Sequence, residues 1–233
     1  MRTGLGTLLI ALALSPSGLV QATALLPFRA TYSATLDGSV AVAADAVREL
    51  KQLEDGSWIF NSSADAVLAK QHEESRFTYS EQRIRPLSYL YRRQVLGKER
   101  RVELEFDWPR QRVKTTVEDK PWHMKIPTDT QDKLSYQLQL RKDLAAGKTE
   151  FSYSVADGGL LSEYRFKVLG EERITTPDGD YDAIKVERIR DEAAGRTTHI
   201  WFAPALEYLI VKLHQTENDG KEYGLLLNHL EHR

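Results

Sequence analysis

The chain has no cysteine among its 233 residues. That excludes disulfides, thiolate metal sites, a thiol nucleophile and a lipid-modified N-terminal cysteine, so an oxidising compartment neither helps nor harms it. Beyond the first 24 residues, no apolar run approaches the roughly 20 residues that a helical membrane span needs. An excess of one charge is also missing. Lys and Arg number 32 against 34 Asp and Glu, a formal net charge of -2, so no global basic field recruits nucleic acid or anionic lipid. There is no Gly-x-Ser-x-Gly elbow, Gly-rich phosphate loop or His-Glu-x-x-His, and hence no assembled acid, base or nucleophile. The chain therefore reads as no enzyme, with no cofactor and no metal.

What is present begins at the N-terminus. Arg2, an apolar run from Leu5 to Leu14, a Ser-Pro-Ser-Gly break and Ala22-Thr23-Ala24 have the charge, core and small-residue site of a secretory signal peptide. Residues 1–24 are expected to be removed on export, leaving residues 25–233 as one β-rich periplasmic domain. A retained anchor fits less well, because the run is about half the length of a span.

The remainder alternates. Val102, Leu104, Phe106 and Trp108 stand between Arg101, Glu103, Glu105 and Asp107, so one face is buried and the other wet. The same period recurs at Val113/Thr115/Val117, Phe151/Tyr153/Val155, Tyr164/Phe166/Val168, Ile184/Val186, Thr198/Ile200/Phe202 and Leu209/Val211/Leu213. Asp37-Gly38, Asp55-Gly56, Asp157-Gly158-Gly159, Asp178-Gly179 and Asp219-Gly220 punctuate these runs with residues that accept the positive φ of a tight hairpin. Roughly a dozen strands result. A sheet that wide curls, which predicts a mainly β fold: a strongly curved antiparallel sheet or open β-barrel.

One stretch breaks the pattern. Between Pro127 and Gly147 the chain has helix ends: Thr128 and Gln131 at capping-box spacing and Gly147 at the C-cap position. A single central helix over about 131–146 is expected, with Leu134, Leu138 and Ala145 on one side and Tyr136, Leu140 and Leu144 on another. Such a helix is touched on two faces, as a plug or lid for the sheet. Trp58, Phe60, Phe106, Trp108, Phe166, Ile200 and Phe202 are the expected core.

Several groups invite a functional reading. Asp132, Lys133 and Ser135 stand together, but an acid in a first helical turn complements the dipole, and Lys133 has Glu103 or Glu105 as strand partners. His229, Glu231 and His232 are too few and too close to the chain end for a metal centre. The Val/Ala-rich stretch between Ser39 and Val47 fits close packing or the lining of a pocket. Tyr79, Tyr89, Tyr91, Trp108, Trp122, Tyr136 and Tyr153 cluster around the helix, as core residues or as the walls of a pocket. If a hollow is left, Trp122, Tyr136, Leu138 and Leu140 are the candidate ligand contacts near its mouth.

The run Pro86–Arg93 (PLSYLYRR), Gly97-Lys98-Glu99-Arg100, Phe106-Asp107-Trp108 and Thr130–Leu138 (TQDKLSYQL) resembles the domain-of-unknown-function 3108 family (DUF3108) of Gram-negative secreted proteins. Tyr153–Gly158, Tyr164–Gly170, Lys185–Arg188 and Trp201–Pro204 agree with it. The resemblance covers most of residues 25–233 and implies a β-rich periplasmic domain, with no catalytic or ligand-binding residue to carry over. Two functional expectations stand: a non-enzymatic periplasmic protein holding a lipid or other apolar ligand in a curved-sheet hollow, or a structural protein that meets another cell-envelope protein through a filled, ligand-free fold.

Export is tested first. Protein recovered from a periplasmic fraction should begin near Leu25 by N-terminal sequencing, whereas intact Met1 protein found only in the cytoplasm contradicts the signal-peptide reading.

Overall fold

The structure is a computed structural model that describes residues 24–37, 42–190 and 195–232. The expected signal peptide lies outside the described residues except for Ala24. Fourteen strands and one α-helix follow one another in a meander. The first eight strands are β1 (Phe28–Asp37), β2 (Val42–Gln52), β3 (Trp58–Ala66), β4 (Ala69–Ser80), β5 (Arg83–Val95), β6 (Lys98–Asp107), β7 (Arg112–Val117) and β8 (Lys120–Lys125). After α1 (Ser135–Ala145) come β9 (Glu150–Asp157), β10 (Leu160–Thr176), β11 (Gly179–Ile189), β12 (Thr197–Ala203), β13 (Leu209–Thr216) and β14 (Glu222–His232). All fourteen form one antiparallel sheet in the order β8-β7-β6-β5-β4-β3-β2-β1-β14-β13-β12-β11-β10-β9.

Every neighbour is a sequential hairpin except one. The first and last strands pair in mid-sheet, Phe28 opposite His232 through Asp37 opposite Glu222. The sheet is therefore open between β8 and β9, and the segment joining those two edges carries the helix. Register breaks at Thr31/Tyr32, Arg76/Phe77, Val168/Gly170 and Trp201/Phe202 add local bend to the curl. Gly56, Gly158, Gly159, Gly179 and Gly220 all have positive φ, as the Asp-Gly turns require. Gly38 lies outside the described residues.

The edges are blunted differently. β8 is short, carries Lys at both ends and has Pro121 within it, features that discourage strand addition. On β9, Gln131 forms a one-residue parallel bridge to Val155, with Gln131 N donating to Ser154 O (2.8 Å) and Ala156 N donating to Gln131 O (2.9 Å).

That bridge corrects the expected helix start. Gln131 is spent on the sheet edge, so the helix begins at Ser135 and not at 131. The cap is Asp132, whose Oδ1 accepts from Leu134 N and Ser135 N, both at 2.8 Å, while Ser135 Oγ accepts from Asp132 N at 2.8 Å. Thr128 has no part in it. The other end is as expected: Gly147 takes φ +79°, its N–H bonds Leu144 O, and Lys148 N bonds Asp143 O, a Schellman closure.

The helix is gripped on two faces. Leu134 and Leu138 belong to a core with Phe28, Leu50, Phe60, Phe77 and Leu104; Tyr136, Leu140 and Leu144 belong to a second with Tyr153, Phe166, Val186, Ile200 and Phe202. Trp58, Phe60, Trp108, Phe166, Ile200 and Phe202 are buried, but Phe106 is only half-buried, stacked on Trp108 at 5.4 Å near the β8 edge.

Phe166→Ala, which removes a fully buried ring stacked on Tyr136, should cost about 3–5 kcal/mol in a urea titration. Phe106→Ala should cost clearly less, and Glu105→Ala, at an exposed Lys114 pair, should stay within about 0.5 kcal/mol. Equal losses at Phe166 and Glu105 contradict this burial pattern.

Candidate functional site

The helix start is bound to the sheet by a buried polar knot. Ser75, on the inner face of β4, donates its hydroxyl to Asp132 Oδ2 at 2.6 Å, while Oδ1 holds the first turn of α1. Asp132, Ser75 and Ser135 have no exposure. Burial pushes the Asp132 carboxyl up to about 6, against the hydrogen bonds from Ser75, Ser135 and Leu134, which favour the ionised form. Arg141 and Lys142 tie the rest of the helix to the same end of the sheet, bonding Glu207 O and Ala24 O.

The turn into the helix and its first residues carry Lys133, Tyr136 and Gln137, which meet a polar group on the concave face. Tyr136 is its centre. Its hydroxyl is raised to about 12, chiefly by burial; Arg188 and Arg48 act to lower it, Tyr164 and Glu73 to raise it further. Tyr164 of β10 meets the Tyr136 ring edge-on at 5.3 Å, Arg188 of β11 lies over Tyr164, and Arg48 of β2 reaches the neighbouring Gln137.

Each wall has its own bonding. Arg48 lies over the Phe60 ring at 5.2 Å and donates to Gln137 Oε1. Arg188 stacks on Tyr164 at 3.5 Å. Tyr89 donates to Glu73 Oε2 at 2.5 Å, and Gln71 to Glu73 Oε1 at 2.8 Å. Lys133 pairs with Asp157 at 3.4 Å and faces the Tyr91 ring at 5.8 Å. This corrects the expected pairing with Glu103 or Glu105, which bond Arg101 and Lys114 instead on the wet side of β6. Tyr164 donates to Asp157 Oδ2 at 3.1 Å. The Lys133–Asp157 bridge closes one side of a cleft of about 270 Å³, lined also by Tyr89, Tyr91, Arg100, Val102 and Gly158, where the β9–β10 turn meets β5 and β6.

Two cations in this group are left over. Arg48 is only 6% exposed, its Nε has no hydrogen-bond partner, and Arg188 Nε is likewise buried and unpartnered. Neither guanidinium has a carboxylate within ion-pair distance among the described residues. Beyond Arg48, the concave face narrows to small side chains: Ala34 on β1, Ala44 and Ala46 on β2, Ser62 and Ala64 on β3. All but Ala46 are half-exposed.

The four sequence candidates fall in different places. Tyr136 sits in the polar group. Leu138 and Leu140 are 1% and 0% exposed in the two flanking cores. Trp122 is on the β8 edge, its ring so close over Gly159 of the β9–β10 turn that a Cβ there would lie 1.7 Å from it. Arg48 and Arg188 were missed. Their signal was present, since each occupies an inward place in its strand alternation, Ala44-Ala46-Arg48-Leu50 and Ile184-Val186-Arg188. Among the described residues no three His, Asp or Glu side chains gather as a metal site, and His229 instead faces Asp178 at 3.3 Å.

The Asp132 carboxyl gives a pH signature. Its folded value of about 6 stands above the ordinary 3.8, so its proton favours the fold: the stabilisation is full below about pH 4 and is lost as pH rises through about 6. Relative to Asp132→Asn, which keeps the cap uncharged, wild type should lose up to about 3 kcal/mol between about pH 4 and about pH 7 in urea titrations. A difference that does not change with pH would mean the carboxyl is not protonated on folding.

Three solved structures match the chain, one of them with a shared fold. A β-barrel-like protein of the DUF1849 family from Brucella abortus is 12% identical, with TM-score 0.62, covering 90% of this chain and 98% of that one. A protein from Parabacteroides distasonis (10% identity, TM-score 0.33, 89% and 96% covered) and a DUF1329 family protein from Desulfovibrio piger (9%, 0.28, 89% and 85%) are more distant. No curated protein matches the chain. The model of the family described as "Protein of unknown function (DUF3108)" matches residues 28–226, which takes in the helix, both cores and the polar group around Tyr136, and the chain belongs to that family.

Proposed function

We propose that this is a non-enzymatic periplasmic binding protein that holds an amphipathic molecule, such as a fatty acid or other acyl lipid, in the recess above α1. The anionic group of the ligand meets Arg48 and Arg188, and its apolar part lies along the small side chains of β1 to β3. One observation carries the reading: two guanidinium groups, Arg48 buried and Arg188 half-buried, on strands separated by β1, β14, β13 and β12, reach the residues beside Tyr136, each with a buried Nε that has no partner and no carboxylate within ion-pair distance among the described residues. A buried cation without a counter-charge is costly, and an anionic ligand group supplies the missing partner. The signal-peptide features of residues 1–24 in the sequence support the periplasmic assignment.

A second reading is favoured by a different fact. Leu138 and Leu140 are packed completely, so the lower half of the sheet is filled by the helix, as expected of an envelope interaction protein with no small ligand.

Titration of a fluorescent fatty-acid probe into residues 25–233 separates the two. Saturable binding at micromolar protein is expected, weakened at least about tenfold by Arg48→Met, which keeps a flexible stem over Phe60 but removes the charge, and by the methyl ester of the probe. Absence of saturable binding, or equal affinity for acid and ester, overturns the binding reading in favour of the filled one.

A further inference from the structure

In a meander every second turn lies at the same end of the sheet, so the β3–β4, β5–β6, β7–β8 and β9–β10 turns share the end opposite the β8–β9 connection. Several of those turns hold large apolar side chains in solvent, although the β7–β8 turn carries Glu118 and Asp119. Val67 and Leu68, in the β3–β4 turn, are 97% and 66% exposed, and Leu96, in the β5–β6 turn, is 72% exposed. The two turns are joined directly, Leu96 N donating to Leu68 O at 3.1 Å, so these side chains form one patch. Leu160 and Leu161, 70% and 42% exposed, follow the β9–β10 turn, and Gly158 of that turn lines the same cleft as Tyr91 and Arg100. Two apolar tips therefore stand on either side of the cleft.

Exposed to this extent, these side chains contribute little to the core. A turn between antiparallel strands ordinarily carries Gly, Asn or Asp, and Leu96 adopts a positive φ of 49° that those residues take more easily. Large apolar side chains held in solvent at hairpin tips are a cost with no return inside the fold.

The charge beside them is mainly positive. In 65–70 and 92–101, the distal parts of these two hairpins, six cations stand against two acids, and the adjoining 117–120 turn adds two acids and one cation, so the region is net positive although the whole chain is net negative. Arg92 is paired with Glu99, and Arg101 with Glu103. Lys70, Arg93, Lys98 and Arg100 are exposed and have no ion-pair partner among the described residues. Apolar tips with cations immediately behind them match a bilayer surface, whose acyl boundary receives the tips while anionic headgroups meet the cations.

We infer that this rim is a membrane-docking surface, specific for anionic bilayers, with Val67, Leu68 and Leu96 entering the interface and Lys70, Arg93, Lys98 and Arg100 held at headgroup level. The inference does not depend on the ligand proposed for the recess. It sets the open end of the concave face against the membrane.

The test is flotation of residues 25–233, which contain the whole sheet and helix, with vesicles of phosphatidylethanolamine and phosphatidylglycerol, and with phosphatidylcholine alone. Flotation with the anionic vesicles only, lost at high salt, is expected. Leu68→Asp/Leu96→Asp and Lys98→Glu/Arg93→Glu should each weaken it at least about tenfold with unchanged thermal midpoint, the side chains being exposed. Arg48→Met should float like wild type, which separates this surface from the recess. The inference is overturned if wild type does not float with anionic vesicles, if it floats equally with neutral ones, or if the rim variants float unchanged. It is also overturned if Leu68→Asp/Leu96→Asp instead abolishes a concentration-dependent dimer seen by sedimentation, which would make the patch a contact between copies of this chain.

Discussion

The buried carboxylate of Asp132 fixes the rest of the molecule. It holds the first turn of α1 through two backbone N–H groups and the inner wall of β4 through Ser75, so helix and sheet share one hydrogen-bonding centre. Its desolvation is unfavourable when it is ionised, yet three donors around it would be orphaned without it. From that point the helix direction follows, with Leu134 and Leu138 delivered to one core and Tyr136, Leu140 and Leu144 to the other. A helix rotated by a third of a turn would break both cores at once. The polar knot thus gives one orientation to an element whose apolar residues are spread over two faces.

The meander explains why one helix suffices. Hairpins of this kind are closed locally, and the pairing of β1 with β14 joins the two halves into a continuous sheet. That leaves only two edges, and the β8–β9 connection must travel between them. Routing it across the concave face places the helix where the curled sheet has most apolar surface to bury, and Gln131 satisfies part of the β9 edge on the way. Thus the same segment closes the core and covers an edge.

Alternation made the strands legible, because each has one wet and one dry face, and the Asp-Gly pairs marked turns by a conformational need that few residues meet. Turns built without that signal were not legible. Glu81-Gln82, Glu118-Asp119 and Glu207-Tyr208 all take positive φ with no glycine, imposed by the pairing of the flanking strands. For the same reason the count came to about a dozen and not fourteen. The helix start was misplaced because Thr128 and Gln131 satisfy a local rule, while the winning interaction, Asp132 with Ser75, spans 57 residues. Phe106 was placed too deep because alternation reports a face and not a distance from the sheet edge. At the candidate site, Tyr136 was found by its helix position, but Arg48 and Arg188 were hidden: a charge in an apolar register looks like an interruption until the strands around it are known.

Those interruptions separate stability from function along the axis of the sheet. Below Tyr136 the concave face is filled by large apolar residues at a few per cent exposure, a normal core. Above it, alanines and serine replace them, and the polar groups are satisfied one by one: Glu73 by Tyr89 and Gln71, Asp157 by Lys133 and Tyr164. Arg48 Nε and Arg188 Nε stay without a partner among the described residues, as do Asn61 Oδ1, Thr115 Oγ1 and Gln131 Oε1 elsewhere in the fold. Apolar residues of similar volume in place of the two arginines would extend the core and avoid burying unpaired charge, so folding alone gives no reason for them. Arg141 likewise has no carboxylate within ion-pair distance among the described residues but spends its guanidinium on the Glu207 carbonyl, whereas Arg48 and Arg188 each keep a buried Nε open. Their incompleteness is best understood as the protein's half of an interaction whose other half is the proposed anionic ligand.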